Sequence, residues 1–132
     1  MSEIRCWSLH ECYGALPGAW QPARVGEVND HELKIARLEG AFDWHSHDDT
    51  DECFLVLDGE MVMHFRDRGV AMRAGDLLVV PRGVEHRPES AGVCHVLLFE
   101  RTGTLNTGDV RSERTSENVP DISALLPGRL DA

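Results

Sequence analysis

The sequence predicts an all-β fold, a sandwich or a barrel, on three observations. Apolar runs of strand length recur from Leu33 to Phe99, turn-forming residues break them at regular intervals, and no helical period lies between them. The chain has 132 residues, 42 % apolar and 27 % charged, which is one domain's worth of ordinary globular composition. That length buries a core without disulfide staples.

Residues 1–32 carry Gly14, Pro17, Gly18, Pro22, Gly26 and Asn29. They predict an extended arm with aromatic anchors at Trp7, Tyr13 and Trp20, packed on the barrel or on a partner subunit. Residues 33–100 hold the strand-length runs LKIARL (33–38), CFLVLD (53–58), MVMHFR (61–66), GVAMR (69–73), LLVVP (77–81) and VCHVLLF (93–99). Breaks fall at Gly40, Asp58-Gly59, Asp67-Arg68-Gly69, Ala74-Gly75-Asp76 and Arg82-Gly83. Residues 101–132 turn polar and read as a partly flexible C-terminal extension, in which DISALLPG (121–128) predicts one short helix.

Side chains alternate between faces along a strand. Glu52, Phe54 and Val56 share one face, and Cys53, Leu55 and Leu57 the other, so both faces are apolar beyond Glu52. A strand with one solvated face shows polar residues there. The outer face therefore needs a cover, from the N-terminal arm or a second subunit, and we expect a homodimer. In the next run Met61, Met63 and Phe65 oppose Val62, His64 and Arg66, which puts His64 on the more polar face as a surface histidine.

The formal charge of −10 argues against a nucleic-acid backbone as partner and favours cations. No run of eighteen apolar residues exists, so no membrane-spanning helix is expected. The opening MSEIRCWSLHECYG lacks the charged-then-apolar pattern of a signal peptide, and we expect a cytoplasmic protein. The cysteines Cys6, Cys12, Cys53 and Cys94 include no CxxC pair and read as free thiols, Cys53 and Cys94 as small buried hydrophobes. Cys6, His10 and Cys12 have zinc-like spacing but no fourth ligand, and read as part of an irregular leader.

The chemistry concentrates in GAFDWHSHDDTDECFLVLDGE, residues 40–60. His45 and His47 are two apart and share a strand face, and Glu52 follows before an apolar strand. A metal held by these three needs a further ligand, and GDLLVVPRGVEHRPES (75–90) offers His86 behind a Pro-x-Gly bend that fixes the backbone. Asp48, Asp49 and Asp51 read as a solvated acidic loop, with a role in orienting the ligands as the sharper alternative.

The two stretches resemble the paired motifs of the cupin superfamily. The first family motif runs glycine, five residues, HxH, three or four residues, glutamate, six residues, glycine. This chain has His45-Ser46-His47, four residues, Glu52, six residues, Gly59, with Gly40 one residue nearer to His45 than the pattern asks. The second motif runs glycine, five residues, proline, one residue, glycine, two residues, histidine, three residues, asparagine. This chain has Gly75, Pro81, Gly83 and His86 at those spacings and Ser90 at the last position. FDWHSHDDTDE, PRGVEHRPES and LNTGD (105–109) look most like small bacterial single-domain cupins that carry the label mannose-6-phosphate isomerase-like.

The resemblance implies a double-stranded β-helix, a jelly-roll β-barrel, holding one divalent transition metal ion on His45, His47, Glu52 and His86. Three imidazoles and a carboxylate suit Fe, Mn, Ni, Co or Zn, and open coordination positions would make the ion catalytic. The expected function is a metal-dependent enzyme of oxygenase, isomerase or decarboxylase type acting on a small polar molecule. The alternative is a non-catalytic module that binds or senses a small molecule. Phe54, Met61, Met63 and His95 are the pocket candidates, with a core role as the competing reading of the methionines and of His95. Arg82 and Arg87 flank the motif histidine and are candidates for an anionic substrate.

Overall fold

The computed structural model describes residues 4–126 and 129–130. In chain order the elements are β1 (Arg5–Cys6), α1 (Leu9–Ala15), β2 (Ala23–Val28), β3 (His31–Ala41), β4 (Glu52–Asp58), β5 (Glu60–Phe65), β6 (Arg68–Arg73), β7 (Leu77–Val80), β8 (Arg87–Arg101), a 3-10 turn (Ile122–Ala124) and β9 (Arg129–Leu130). All the strand pairings are antiparallel. The main sheet runs β2-β3-β8-β4-β7, and β5 pairs with both β6 and β8.

The 15-residue β8 joins the two walls. Its first residues, Arg87 to Glu89, pair with His64 to Val62 of β5, and its last, from His95, lie between β3 and β4. The register against β3 slips between Leu38 and Gly40, where Ala91, Gly92 and Val93 of β8 bulge opposite the single residue Glu39. A strand that serves both walls wraps the sheet into the jelly roll that the motifs imply.

Parity sorts the core. Ala36, Leu38, Phe54, Val56, Met61, Met63, Met72, Val80, Cys94, Val96 and Leu98 fill the barrel. A second cluster lies on the outer face, where Cys12, Tyr13 and Leu16 of the α1 region and Ile122 close over Ala23 and Ile35, with Leu57 and Leu97 packed against them.

Three features differ from the sequence reading. The arm is not extended throughout: Ser8 caps α1 by accepting a bond from Glu11 N, and the helix lays Cys12 and Tyr13 on the sheet. The first strand of the main sheet is β2, in ARVGEV, which lacks the apolar density of the other runs and is drawn in by pairing with β3. The predicted helix at 121–128 is one 3-10 turn at Ile122–Ala124, and residues 127–128 lie outside the described residues.

The outer face of β4 is covered in part by the arm. Leu57 and Leu97 lie under the α1 cluster, whereas Leu77 and Val79 of the edge strand β7 are 62 % and 53 % exposed. Among the described residues no helix is long and apolar enough to cross a membrane.

Candidate metal centre

The two motif segments are zipped together by backbone. His45 N donates to His86 O at 3.1 Å, and His86 N to His45 O at 2.9 Å, a two-residue antiparallel bridge. Gly83, at φ +80°, turns the chain so that its N–H reaches His47 O at 2.7 Å. Asp51 Oδ1 accepts from Arg82 N at 3.0 Å and ties the same bend to the start of β4. The Pro-x-Gly bend thus aims His86 through three main-chain contacts.

On the other side the 105–109 loop clamps the HxH strand. Asp109 N donates to Ser46 O at 3.0 Å, and Asp109 Oδ1 accepts from Ser46 N at 2.9 Å. Gly108, at φ +57°, passes so close that a Cβ there would lie 2.0 Å from Ser46 O. Only glycine fits that approach.

His45, His47, Glu52 and His86 converge as a result. Each offers one ligand atom, these atoms all lie within 4.8 Å of one another, and the four residues are buried. Glu52 Oε1 is 3.1 Å from His86 Nε2 and 3.2 Å from His47 Nε2. His45 Nδ1 donates to Asp43 O at 2.8 Å and His86 Nδ1 to Val84 O at 2.9 Å. A carbonyl can only accept, so both rings carry a proton on Nδ1, which leaves Nε2 free to ligate.

That arrangement fits a cation. Neutral His86 would point a lone pair at the Glu52 carboxylate oxygen 3.1 Å away. His47 Nε2 is a buried nitrogen without a hydrogen-bond partner, because its approach to Glu52 is poorly aligned. Orphaned buried polar atoms are rare unless something occupies the space between them. Burial pushes the His45 imidazolium down to about 4, with His86 adding to the effect, so the ring is neutral near pH 7. Burial would raise Glu52, but the adjacent His47 and His86 imidazoles outweigh it and hold the carboxyl well below its usual range. Ligand-ready protonation states are therefore the resting states of His45 and Glu52.

Sequence reasoning missed the buried neighbour of this cluster. Glu100 of β8 is the cross-strand partner of Glu52 and is 1 % exposed. Burial and then the Glu52 charge raise its carboxyl well above normal. The signal was the polar Glu100 ending the apolar run VCHVLLF, at a position with inward parity.

The pocket candidates separate. Phe54 lines a cavity of about 40 Å³ beside His45 and Glu52, and its ring meets His86 edge-on at 6.1 Å. Trp20, Pro22, Ala36, Phe42, Leu98 and Asn106 complete the lining. Trp20 is held at φ +64°, stacks on Phe42 at 4.7 Å and donates from Nε1 to Glu39 O. Met61 and Met63 pack in the barrel core and do not line this cavity. His95 does not either: its parity on β8 is opposite to Cys94 and Val96, and it stacks outside the barrel on Tyr13 at 4.2 Å.

The arginines are likewise elsewhere. Arg87 lies over Trp44 together with Arg66, and Arg82 pairs with Asp51 at 3.5 Å, so neither reaches the cavity. His64 bonds Glu89 at 2.8 Å on the outer side. Asp48 and Asp49 are exposed. Cys6 and His10 are exposed while Cys12 is buried under α1, and the three do not gather with a fourth ligand.

The cupin domain family model, Cupin_2, matches residues 34–100 of the 132. The chain is a cupin. Among curated relatives, this cupin is 45 % identical over 67 residues to the uncharacterized protein YdbB of Bacillus subtilis (strain 168), a match covering 50 % of this chain and 59 % of that one. It is 38 % identical over 71 residues to a 3-hydroxyanthranilate 3,4-dioxygenase of Xanthomonas euvesicatoria, covering 51 % of this chain and 40 % of that enzyme. The chain thus spans between about two fifths and three fifths of the length of these two relatives. Among solved structures, a cupin-2 domain containing protein of Shewanella frigidimarina superposes with a TM-score of 0.70 at 35 % identity, covering 72 % of this cupin and 93 % of its own chain. Protein NMB1881 of Neisseria meningitidis superposes with a TM-score of 0.67 at 28 % identity, covering 74 % and 99 %.

Proposed function

We propose that this cupin holds one divalent transition ion on His45, His47, Glu52 and His86 and acts as a metal-dependent oxygenase on a small polar molecule. The observation that carries the reading is the convergence of those four buried ligand atoms within 4.8 Å. Fe, Mn, Ni, Co and Zn all accept this donor set; the oxygenase reading takes Fe(II). Such an ion supplies Lewis-acid chemistry and, as iron, oxygen-activating chemistry.

What the chain's own residues contribute favours oxygenation over isomerisation or decarboxylation. Apart from His45 and Glu52, the cavity lining offers no titratable side chain to move a proton; Asn106 is bonded to Arg114 O and Ser116 N, and Trp20 Nε1 to Glu39 O. The aromatic and aliphatic walls suit a small apolar co-substrate. The 38 % relative named as a dioxygenase supports the same class.

The second reading, a non-catalytic binding module, is favoured by one observation. A cavity of about 40 Å³ admits a water or a diatomic molecule but no organic substrate unless Trp20 or Asn106 moves. We also place the protein in the cytoplasm, since Cys12, Cys53 and Cys94 form no disulfide, and infer a homodimer from exposed Leu77 and Val79.

Elemental analysis tests the ion: close to one per chain is expected, lost in His45→Ala and His86→Ala. Full retention in the double variant refutes the ligand set. Oxygen uptake by the Fe(II) protein over a panel of small diols, thiols, keto acids and 3-hydroxyanthranilate tests the reaction. Uptake with no member of the panel assigns the chain to the binding module.

A further inference from the structure

Beside the ligand cluster the barrel interior holds a row of charged groups that no ligand role explains. Glu32 and Lys34 of β3 and Glu100 of β8 are each no more than 1 % exposed. The row crosses three strands in register: Glu52 of β4 faces Glu100, and Glu100 faces Glu32. Lys34 Nζ donates to Thr104 O at 2.9 Å and pairs with Glu100 Oε1 at 2.9 Å and with Glu32 Oε1 at 3.1 Å, the last an ion pair without an aligned hydrogen bond. Glu32 Oε2 takes Arg24 Nε at 2.7 Å, and Arg24 Nη1 takes Asp121 at 3.0 Å. The row therefore runs from the ligating carboxylate to the surface of β2.

Charges in a core are costly, and apolar residues of the same volume in their place are often neutral or stabilising. A buried lysine among three glutamates thus needs a reason other than stability. Its place supplies one. Glu52 presents Oε1 to two imidazoles, and Glu100 is the buried carboxyl directly opposite it on the adjoining strand. Glu100 in turn is fixed by Lys34, which the Thr104 carbonyl and Glu32 hold from two sides.

We propose that Lys34 and Glu100 are positioning residues for the ligating carboxylate: Lys34 anchors Glu100, and Glu100 braces Glu52 with Oε1 turned to His47 and His86. This rests on the metal reading above. Residues that orient metal ligands typically change affinity by about 10- to 100-fold when removed, and that range is expected here.

The test compares the wild type, Glu100→Leu and Glu100→Gln on the full chain. Glutamine keeps the shape and can both accept from Lys34 and bond Glu52; leucine can do neither. Readouts are Zn²⁺ affinity by competition with a chromophoric chelator, the visible absorption of the Co²⁺ form, and denaturant stability of the metal-free proteins. The expected result is about 10- to 100-fold weaker Zn²⁺ binding and an altered Co²⁺ spectrum in Glu100→Leu, with both restored in Glu100→Gln. A merely structural Glu100 would change stability and leave affinity and spectrum alone, and that result overturns the proposal. Should Glu100→Leu not fold, Lys34→Gln reads the same brace: about 10-fold weaker binding supports it and unchanged affinity overturns it. If the wild type binds neither Zn²⁺ nor Co²⁺, it is the metal reading that fails; if it binds both and the variants match it, only the positioning role fails.

Discussion

Replacing Gly108 by alanine should unseat the loop that backs the metal ligands. The added Cβ would lie 2.0 Å from Ser46 O, 2.9 Å from Ser46 C and 3.2 Å from His47 Nδ1. Two of these neighbours are backbone and cannot swing away, so the 105–109 loop must lift. Lifting breaks the paired bonds between Ser46 and Asp109, at 3.0 and 2.9 Å, each worth about 0.5–1.5 kcal/mol net. Holding alanine at φ +57° adds about 1–2 kcal/mol. The expected loss is about 2–5 kcal/mol, together with weaker metal binding because His47 loses its backing. Denaturant unfolding of the metal-free chain measures the loss, and amide hydrogen exchange at Ser46 and Asp109 shows whether the loop opens alone or with the barrel. Wild-type stability together with wild-type protection at both amides would refute the clamp.

In the metal-free protein His45 titrates at about 4 against an ordinary 6.5, so the unfolded chain binds the proton first. The contribution of His45 to stability is fully present above pH 6.5 and is lost as pH falls towards 4, on the order of 3 kcal/mol at about 1.4 kcal/mol per pH unit. Unfolding curves of wild type and His45→Gln between pH 7 and 4 measure it, and parallel curves would contradict it. Leu77→Asp with Val79→Asp places charge on the exposed end of the β7 face; sedimentation should show a homodimer for the wild type and a monomer for the variant, and a monomeric wild type removes the dimer.

The interior strands were legible because the barrel writes an alternating pattern into them. Phe54, Val56, Met61 and Met63 are inward-facing and buried, as parity requires. The convergence of the four chemical residues was legible only through the motif spacing, since nothing local in His86 says that it bridges His45, 41 residues earlier. Three things left no local trace. ARVGEV forms β2 because β3 offers it a free edge, not because it is a strong strand former. Trp20 lines the cavity from the arm because its backbone is bonded to Arg37 O. His95 shares its apolar run with the core, and only the true phase of β8 shows that it points out towards Tyr13. Long-range pairing decides these cases, and single-sequence periodicity does not carry it.

The site and the fold divide the work of holding the ligands in a definite way. Main-chain bonds between His45 and His86, Gly83 and His47, and Asp109 and Ser46 set the ligand positions without any side-chain attraction among them. Among the described residues the barrel core of eleven buried side chains continues past the ligands, touching them through Phe54, Ala36 and Leu98 at the cavity. The ligand cluster itself opposes folding: three imidazoles and a carboxylate leave water, His47 Nε2 gains no partner, and a lone pair faces a carboxylate. A scaffold that holds such a cluster in place has preorganised it for a cation, because the cost of gathering the ligands is met by folding and not by binding. An ion added to that scaffold stabilises it by mass action, about 2.7 kcal/mol at a hundred times its dissociation constant. An ion bound there would meet ligands already placed by main-chain bonds, in contrast to small zinc domains whose fold is made by the ion.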